Sequence, residues 1–437
     1  MYDNRDPLVT VHFLMSINQN KDAKIVLDVM KKYCKTIPQI DSLGKLYSEI
    51  KDYESCVELA KMALQLTGKT DEQITIKTNI IRSLINLNRP LDALAYIEDI
   101  PENHANLMDK SMCYFLLNRK NEAEEILHRM LREQISEDNQ NRIKFNLATY
   151  NLRKGKFKEG LKGFLVDGRK LDIWRSYDSL PISRLWSGEV QPGKTILVCT
   201  EGGFGDELIS IRFMKHFRDL GMNPIWYTDR KDLAKIFERN GYQVIRSLDE
   251  YQYEWLWCYG MQTPCFLDLK EDDLWYGPYL KPLRNKEKLP GKLKIGLKCS
   301  GNPEYDQDLH RTIPFKEVID CLPKDATIYS FHIEEDLDDP RVISLRDKIK
   351  SWDDTLDYLD QMDIVVSSCT SLPHAAGAIG KKTVVIVPIL TYYTWAYPSR
   401  HSKWYSENTT VLRQVEYDNW NAPLSELKDI FDEYKQD

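Results

Sequence analysis

The first part of the chain has its apolar residues spaced for paired amphipathic helices. Over residues 1–165 a small residue recurs at a mean interval of about 34 positions. The recurring positions are Ala23, Cys56, Ala93, Ala123 and Gly160. Small residues let two helices approach closely, and each pair then buries its apolar face against the next pair. The pattern predicts an all-α, tetratricopeptide-like solenoid, with a generic array of helical hairpins as the alternative.

From residue 194 onward, short β-branched apolar runs alternate with amphipathic stretches. This alternation predicts parallel sheets covered by helices. It falls into two blocks, 194–285 and 286–437, and a proline-containing connector with Trp174 and Trp186 as candidate anchors spans 166–193. The predicted strands are 195–200, 224–228, 242–245, 254–258, 294–299, 327–331, 342–345, 364–367, 383–387 and 409–413. The predicted helices are 206–220, 231–240, 314–321, 353–361, 371–379 and 422–434.

Two such blocks indicate two Rossmann-like lobes that face a cleft, with ligands at the carboxyl ends of the strands. One loop at such a place lies within 364–388, which read IVVSSCTSLPHAAGAIGKKTVVIVP. Ser368, Thr370 and Ser371 stand where the helix begins, and His374 follows one turn later. A helix N-terminus carries unpaired N–H groups and partial positive charge, so it favours phosphate. An ordinary turn with a capping hydroxyl is the alternative.

A second loop of this kind lies within 195–213, which read TILVCTEGGFGDELISIRF. Gly202, Gly203 and Gly205 indicate unusual dihedral angles or the close approach of a ligand. The loop is neither a dinucleotide-binding fingerprint nor a P-loop. Asp206 stands at the start of the following helix, where an N-capping role is the alternative to a chemical one.

A third candidate region follows the strand predicted at 294–299. It contains Asn302, His310 and Arg311. The forked guanidinium of Arg311 suits a diphosphate, and His310 can donate to a phosphate or a sugar. Solvated loop residues are the alternative for both. A metal is not expected, because the pair Asp306 and Asp308 stands alone and no His–Cys set has zinc spacing.

The composition limits which partners and which cellular compartment are expected. The formal net charge of −7 leaves no electrostatic footprint for nucleic acid. The nine cysteines have no CxxC spacing, which favours a reducing, cytoplasmic compartment. No secretory signal pattern is found, and no apolar run approaches the roughly 20 residues that span a bilayer.

Taken together, the motifs of residues 183–415 suggest a family. This segment resembles the GT-B glycosyltransferase domains that follow tetratricopeptide repeats in bacterial and phage proteins. Those domains are related to the ADP-heptose transferases of family 9 and, more distantly, to O-GlcNAc transferases. The resemblance rests on LWSGE at 185–189, EGGFGD at 201–206, SGNP at 300–303, HRTIP at 310–314, WDDT at 352–355, the segments 367–377 and 388–395, and WY at 404–405.

The resemblance implies a nucleotide-sugar donor held mainly by the C-terminal lobe. The donor's diphosphate side would be met by Ser368, Thr370, Ser371 and His374, with Asn302, His310 and Arg311 across the cleft and with Gly203 and Gly205 in the N-terminal loop. Asp206 would be the general base that deprotonates the acceptor hydroxyl. GT-B enzymes of this kind generally need no metal.

The implied activity is that of an inverting hexosyl- or heptosyltransferase in the cytoplasm of a bacterium or of a phage-infected bacterial host. The repeats would help to position a glycan or protein acceptor. Whether the protein forms a homo-oligomer is left open by the resemblance. This chain departs from the family pattern at Cys369, where relatives usually carry Asp, and at Pro373. The alternative is therefore a non-catalytic repeat scaffold with a degenerate GT-B domain.

Overall fold

The computed structural model describes residues 6–133, 135–163, 177–303, 305, 308–334 and 336–434. The predictions for 166–176, with Trp174, and for Asp306 lie outside these residues. The described chain forms two compact units. The first comprises the residues up to Arg132 and those within 304–310, and the second comprises the rest.

Paired helices account for the N-terminal part of the described chain. In the first unit they are α1 Pro7–Ser16, α2 Asn20–Lys31, α3 Ile37–Glu49, α4 Tyr53–Leu66, α5 Thr70–Asn86, α6 Pro90–Glu98, α7 His104–Leu116 and α8 Lys120–Leu131. In the second unit, α9 Glu137–Arg153 and α10 Phe157–Lys162 repeat the arrangement.

Each helical pair turns on a single residue with a left-handed backbone. These residues are Asn18, Lys51, Asn88, Asn118 and Gly155, with φ of 57°, 61°, 54°, 59° and 74°. Each precedes one of the recurring small residues by five positions, so the turn and the close helix contact repeat together. Asn and Gly tolerate this conformation better than other residues do. The predicted array of helical repeats is thereby confirmed.

The first sheet of the second unit has four parallel strands in the order β3-β2-β1-β4. The strands are β1 Thr195–Cys199, β2 Asn223–Tyr227, β3 Val244–Ile245 and β4 Leu256–Tyr259. Its helices are α11 Phe204–Ser210, α12 Met214–Asp219, α13 Lys231–Arg239 and α14 Thr263–Phe266. The single helix predicted at 206–220 is wrong, because a 3-10 turn at Ile211–Phe213 separates α11 from α12.

The second sheet has seven strands in the order β10-β11-β9-β8-β5-β6-β7, all parallel except that β10 and β11 are antiparallel. The strands are β5 Lys294–Lys298, β6 Thr327–Ser330, β7 Val342–Ser344, β8 Ile364–Ser368, β9 Thr383–Val387, β10 His401–Ser402 and β11 Ser406–Arg413. Its helices are α15 Asp308–Arg311, α16 Phe315–Cys321, α17 Trp352–Asp360, α18 Ser371–Ala378, α19 Tyr393–Ala396 and α20 Asn421–Tyr434. Both β8 and β9 are buried along their whole length, as their β-branched runs predict.

Each sheet reverses its strand order once. The chain runs outward from β1 to β3 and returns on the other side of β1 as β4. In the same way it runs from β5 to β7 and returns beside β5 as β8. Open α/β sheets bind ligands at such reversals, outside the carboxyl ends of the strands. The predicted fold class is confirmed: tetratricopeptide-like helices are followed by the two Rossmann-like lobes of a GT-B fold.

One apolar core runs through both lobes, and it encloses a charge. Trp186 packs in this core on Phe217 and Phe266, with ring centroids 5.2 and 5.4 Å away. The guanidinium of Arg212, which is fully buried, donates to the carbonyl oxygens of Ile209, Leu274 and Trp404 and to the Tyr279 hydroxyl, and it lies 4.5 Å from the Tyr405 ring. In the described part of the chain no carboxylate pairs with it.

No helix in the described part of the chain is long and apolar enough to cross a membrane.

Candidate functional site

Asp206 lies on α11, the helix that follows the loop at the carboxyl end of β1. Its Oδ2 accepts a hydrogen bond of 2.7 Å from the Gly203 N–H, and its Oδ1 accepts one of 2.7 Å from the Tyr392 hydroxyl. Gly203 is the N-cap of α11, so Asp206 is the third residue of the helix and bonds back to the cap. One carboxylate oxygen thus caps the helix, and the other accepts a hydrogen bond from Tyr392, which belongs to the second lobe.

The surroundings of Asp206 favour a stronger base than an exposed aspartate. Burial raises the pKa of Asp206, while the Tyr392 hydroxyl, the Gly203 N–H and the Arg230 guanidinium act in the opposite direction. A carboxylate with a raised pKa accepts a proton more readily at neutral pH. The electrostatics therefore suit proton abstraction as well as helix capping.

A second carboxylate in the same loop lies at the point where the strand order of the first sheet reverses, between β1 and β4. Glu201 is 4% exposed and accepts the Met261 N–H at 2.9 and 3.1 Å. Met261 lies two residues after β4, so this contact ties the carboxyl ends of β1 and β4 together. Burial raises the pKa of Glu201 well above its usual range. Its side chain holds the loop that presents Asp206.

Arg230 supports the same loop from the start of α13. It forms an ion pair with the fully buried Glu207 and donates to the Gly202 carbonyl at 2.8 Å. Its guanidinium also lies 4.9 Å from the ring of Phe204. These contacts join residues far apart in sequence, so no local motif could have predicted them.

The loop after β8 presents several hydroxyls at the start of α18. Thr370 is the N-cap, and its side chain accepts the Leu372 N–H at 3.4 Å, as the capping alternative predicts. Ser371 is half-buried at the first helical position. The fully buried Oγ of Ser368 has no hydrogen-bond partner in the described chain. Such an atom needs a partner, and a bound polar ligand is one means of supplying it.

His374 is part of an aromatic cluster. Its ring is 4% exposed and stacks on Trp395 with a centroid distance of 4.9 Å, and its Nδ1 lies 2.8 Å from the Tyr405 hydroxyl. Burial, together with the charge of Arg212, lowers the pKa of His374 to about 3. The imidazole is therefore neutral, and its predicted role at a diphosphate stays a prediction.

The two glycine- and hydroxyl-rich loops meet at Gly205. A Cβ placed there would lie 2.9 Å from His374 Cδ2 and 3.5 Å from Ser371 Cα. Only glycine allows α11 and the start of α18 to approach this closely. Gly203 is exposed, and a Cβ there would come no closer than 3.8 Å to another side chain. The structure therefore brings Asp206, Gly203 and Gly205 next to the second loop.

The third predicted region is divided between the two units. Arg311 is half-buried, and its Nη1 donates to the Cys369 carbonyl at 3.1 Å, which places it beside the loop after β8. Asn302 is exposed shortly after β5, on the other side of the same strand reversal. His310 belongs to the first unit, where its Nδ1 lies 2.9 Å from Asn88 Oδ1 and burial lowers its pKa to about 4.

Lys298 is a residue that the sequence analysis missed. It ends β5, is buried, and places its Nζ 3.2 Å from Glu334 Oε2 and 3.5 Å from the Phe331 carbonyl. The available signal was a lysine directly after the run Ile295–Leu297 of the strand. Residues 305, 308–334 and the other described parts of the chain contain no cluster of three or more His, Cys, Asp or Glu that could hold a metal.

Comparison with known proteins identifies no family for this chain. No protein-family model and no curated protein sequence matches this chain. Among solved structures, a mutant O-GlcNAc transferase from Thermobaculum terrenum aligns over 98% of this chain and 92% of its own, with 10% identity and a TM-score of 0.36. PilW, a widely conserved type IV pilus biogenesis factor, aligns over 49% of this chain and 87% of its own, with 16% identity and a TM-score of 0.30. Likeness at these values assigns no activity, and the resemblance to ADP-heptose transferases stays a prediction.

Proposed function

We propose that this protein is a metal-independent, inverting glycosyltransferase that moves a sugar from a nucleotide-sugar donor to an acceptor hydroxyl. The observation that carries the proposal is the meeting of the two strand-reversal loops at Gly205, with the Asp206 carboxylate beside the hydroxyl-rich start of α18. Open α/β sheets bind ligands at such strand reversals. The contact between the two loops supports a shared site for two substrates.

In this proposal Asp206 acts on the acceptor. Its carboxylate takes the proton from the acceptor hydroxyl as that oxygen forms a bond to the anomeric carbon. The bond from the anomeric carbon to the diphosphate breaks, and its electron pair leaves with the diphosphate. Attack from the face opposite the leaving group inverts the anomeric configuration.

The donor occupies the second lobe. Its diphosphate lies at the start of α18, where the N–H groups, Ser368, Thr370 and Ser371 meet the developing negative charge. Arg311 at the end of α15 and Lys298 at the end of β5 supply positive charge, and Asn302 lies on the β5 side. These groups stabilise the leaving group by electrostatics, the role that a metal has in other transferases.

The helical repeats hold the acceptor, a glycan or a protein. Solenoids present extended surfaces that suit such ligands. This part of the proposal predicts that residues 1–132 bind acceptor without donor.

A second function, a non-catalytic nucleotide-binding scaffold, is favoured by two observations. Cys369 replaces the aspartate expected at this position, and its thiol side chain is buried. His374 is enclosed by Trp395 and Tyr405 rather than open to a ligand. Both features reduce the number of polar groups that a sugar donor would meet.

The experiment that separates these functions is a thermal-shift screen of the full chain against UDP-, GDP-, ADP-, CMP- and dTDP-sugars, with and without EDTA. A donor that binds the native state at 100 times its Kd stabilises it by about 2.7 kcal/mol, so its Tm rises. We expect a rise with one nucleotide class that survives EDTA and disappears in Arg311→Ala. The control Arg400→Ala removes a surface ion pair with Glu426 and should keep the rise. No rise with any donor would contradict both functions, and a rise without sugar transfer would favour the scaffold.

A further inference from the structure

Tyr392 links the two lobes at the proposed catalytic carboxylate. It follows β9 in the second sheet, and its hydroxyl donates to Asp206 Oδ1 of the first-lobe loop at 2.7 Å. Its side chain is 37% exposed, whereas that of the neighbouring Tyr393 is buried. The Tyr392 hydroxyl also lies 4.0 Å from Met261 Sδ. Tyr392 is therefore half-exposed at the site and contacts both Asp206 and Met261, whose N–H binds Glu201.

We propose that Tyr392 is a positioning residue, whose hydroxyl fixes the orientation of the Asp206 carboxylate toward the acceptor hydroxyl. The inference rests on the proposed function, because there Asp206 is the general base. A carboxylate oxygen has two acceptor sites. With Gly203 on Oδ2 and Tyr392 on Oδ1, the rotation of the carboxylate is fixed and each oxygen keeps one site for a substrate proton.

The groups around Asp206 determine how strongly this hydrogen bond affects the ionisation of its carboxylate. The ionisable groups that adjoin Asp206 or its helix turn are Glu201, Glu207, Arg230, His374, Tyr392 and Tyr393. Burial disfavours the ionised carboxylate, while the Tyr392 hydroxyl, the Gly203 N–H and the Arg230 guanidinium favour it. Removal of the Tyr392 hydroxyl takes away the hydrogen-bond donor supplied by the other lobe.

The test is a direct titration of Asp206 by ¹³C NMR in the full chain, labelled with aspartate carrying ¹³C at the carboxyl carbon. Asp206→Asn identifies the signal. Because a hydrogen bond to a charged group contributes about 1.5 kcal/mol, Tyr392→Phe should raise the pKa of Asp206 by about 1. The matched control is Tyr397→Phe, which removes a hydroxyl that donates to Glu271 over the same 2.7 Å. This control should leave the Asp206 titration unchanged.

A second readout separates this inference from the proposed function. If sugar transfer is detected, the acidic limb of the pH profile of kcat/KM should move to higher pH in Tyr392→Phe by the same amount as the titration, with the donor-induced rise in Tm retained. If no transfer is detected but the titration moves, the proposed function fails and the Tyr392–Asp206 contact is upheld. An Asp206 titration that is identical in wild type and in folded Tyr392→Phe overturns the inference, whatever the activity.

Discussion

The amide of an asparagine at position 206 would keep one acceptor oxygen for the Gly203 N–H or the Tyr392 hydroxyl but could not take a proton. Asp206→Asn should therefore lower sugar transfer by about 10²- to 10⁴-fold, the range for loss of a general base. The donor-induced rise in Tm should persist, because Asp206 does not face the donor in the proposed arrangement. Single-turnover assays with the screened donor would measure the effect.

The matched control for this variant is Asp268→Asn, which changes an exposed carboxylate that pairs with Lys158. It should transfer sugar at the wild-type rate. Retained turnover in Asp206→Asn would remove Asp206 from the role of base and leave it a helix-capping residue.

Side-chain roles were predictable from the sequence where they depend on neighbours in the chain. Thr370 caps α18 as its place before an Ala- and Gly-rich helix predicts. The surroundings of His374 were not predictable, because Trp395 and Tyr405 come from positions 21 and 31 residues further on. The same holds for His310, whose partner Asn88 lies in the repeats. Long-range contacts leave no local pattern.

At the scale of elements, the packing of α11 against α18 depends on the absence of a side chain at position 205. In Gly205→Ala the new methyl group would lie 2.9 Å from the stacked ring of His374, which has no room to move. We expect overpacking to reduce the free energy of unfolding by about 1–3 kcal/mol. Urea unfolding followed by tryptophan fluorescence would measure it.

Gly203→Ala is the control, since a Cβ there meets nothing closer than 3.8 Å. It should cost about 0.5 kcal/mol, the effect of losing glycine at an N-cap. Equal losses in the two variants would contradict the close approach at Gly205.

In the second unit the helices predicted at 231–240, 314–321, 353–361, 371–379 and 422–434 match to within one residue at each end, whereas the strands predicted at 242–245 and 254–258 begin two residues later than predicted. The run predicted at 364–367 is the strand Ile364–Ser368, because β-branched residues buried on both faces leave few alternatives. The helix predicted at 206–220 is interrupted at a 3-10 turn, in which the Arg212 side chain donates to the carbonyls of Leu274 and Trp404. Those partners are 62 and 192 residues away, so the amphipathic pattern carries no trace of these contacts.

For the molecule as a whole, burial of ionisable groups sets how stability depends on pH. His332 is buried with its Nε2 accepting the Cys299 N–H at 3.0 Å, and burial lowers its pKa to about 4. Below about pH 6.5 the unfolded chain takes up a proton on this histidine and the folded chain does not, so stability falls as the pH falls toward 4. Glu201, with its raised pKa, acts in the opposite direction.

The comparison of wild type with His332→Gln isolates the histidine, because Glu201 contributes equally to both proteins. Glutamine can still accept the Cys299 N–H. Between pH 7 and pH 5 the free energy of unfolding of the wild type should fall by about 2 kcal/mol more than that of the variant. Chemical unfolding at both pH values would measure this shift. A difference that does not change with pH would show that folding does not lower the pKa of His332.

The buried guanidinium of Arg212 also has a consequence for how salt affects ligand binding. No carboxylate neutralises it in the described chain, and its charge contributes to the lowered pKa of His374 on α18. It therefore adds a positive potential near the start of that helix from inside the protein, where mobile ions do not enter. Counter-ions screen exposed charges over about 8 Å at physiological ionic strength, but a buried charge much less. An anion bound at the start of α18 should thus keep more of its affinity in high salt than one held by surface lysines alone.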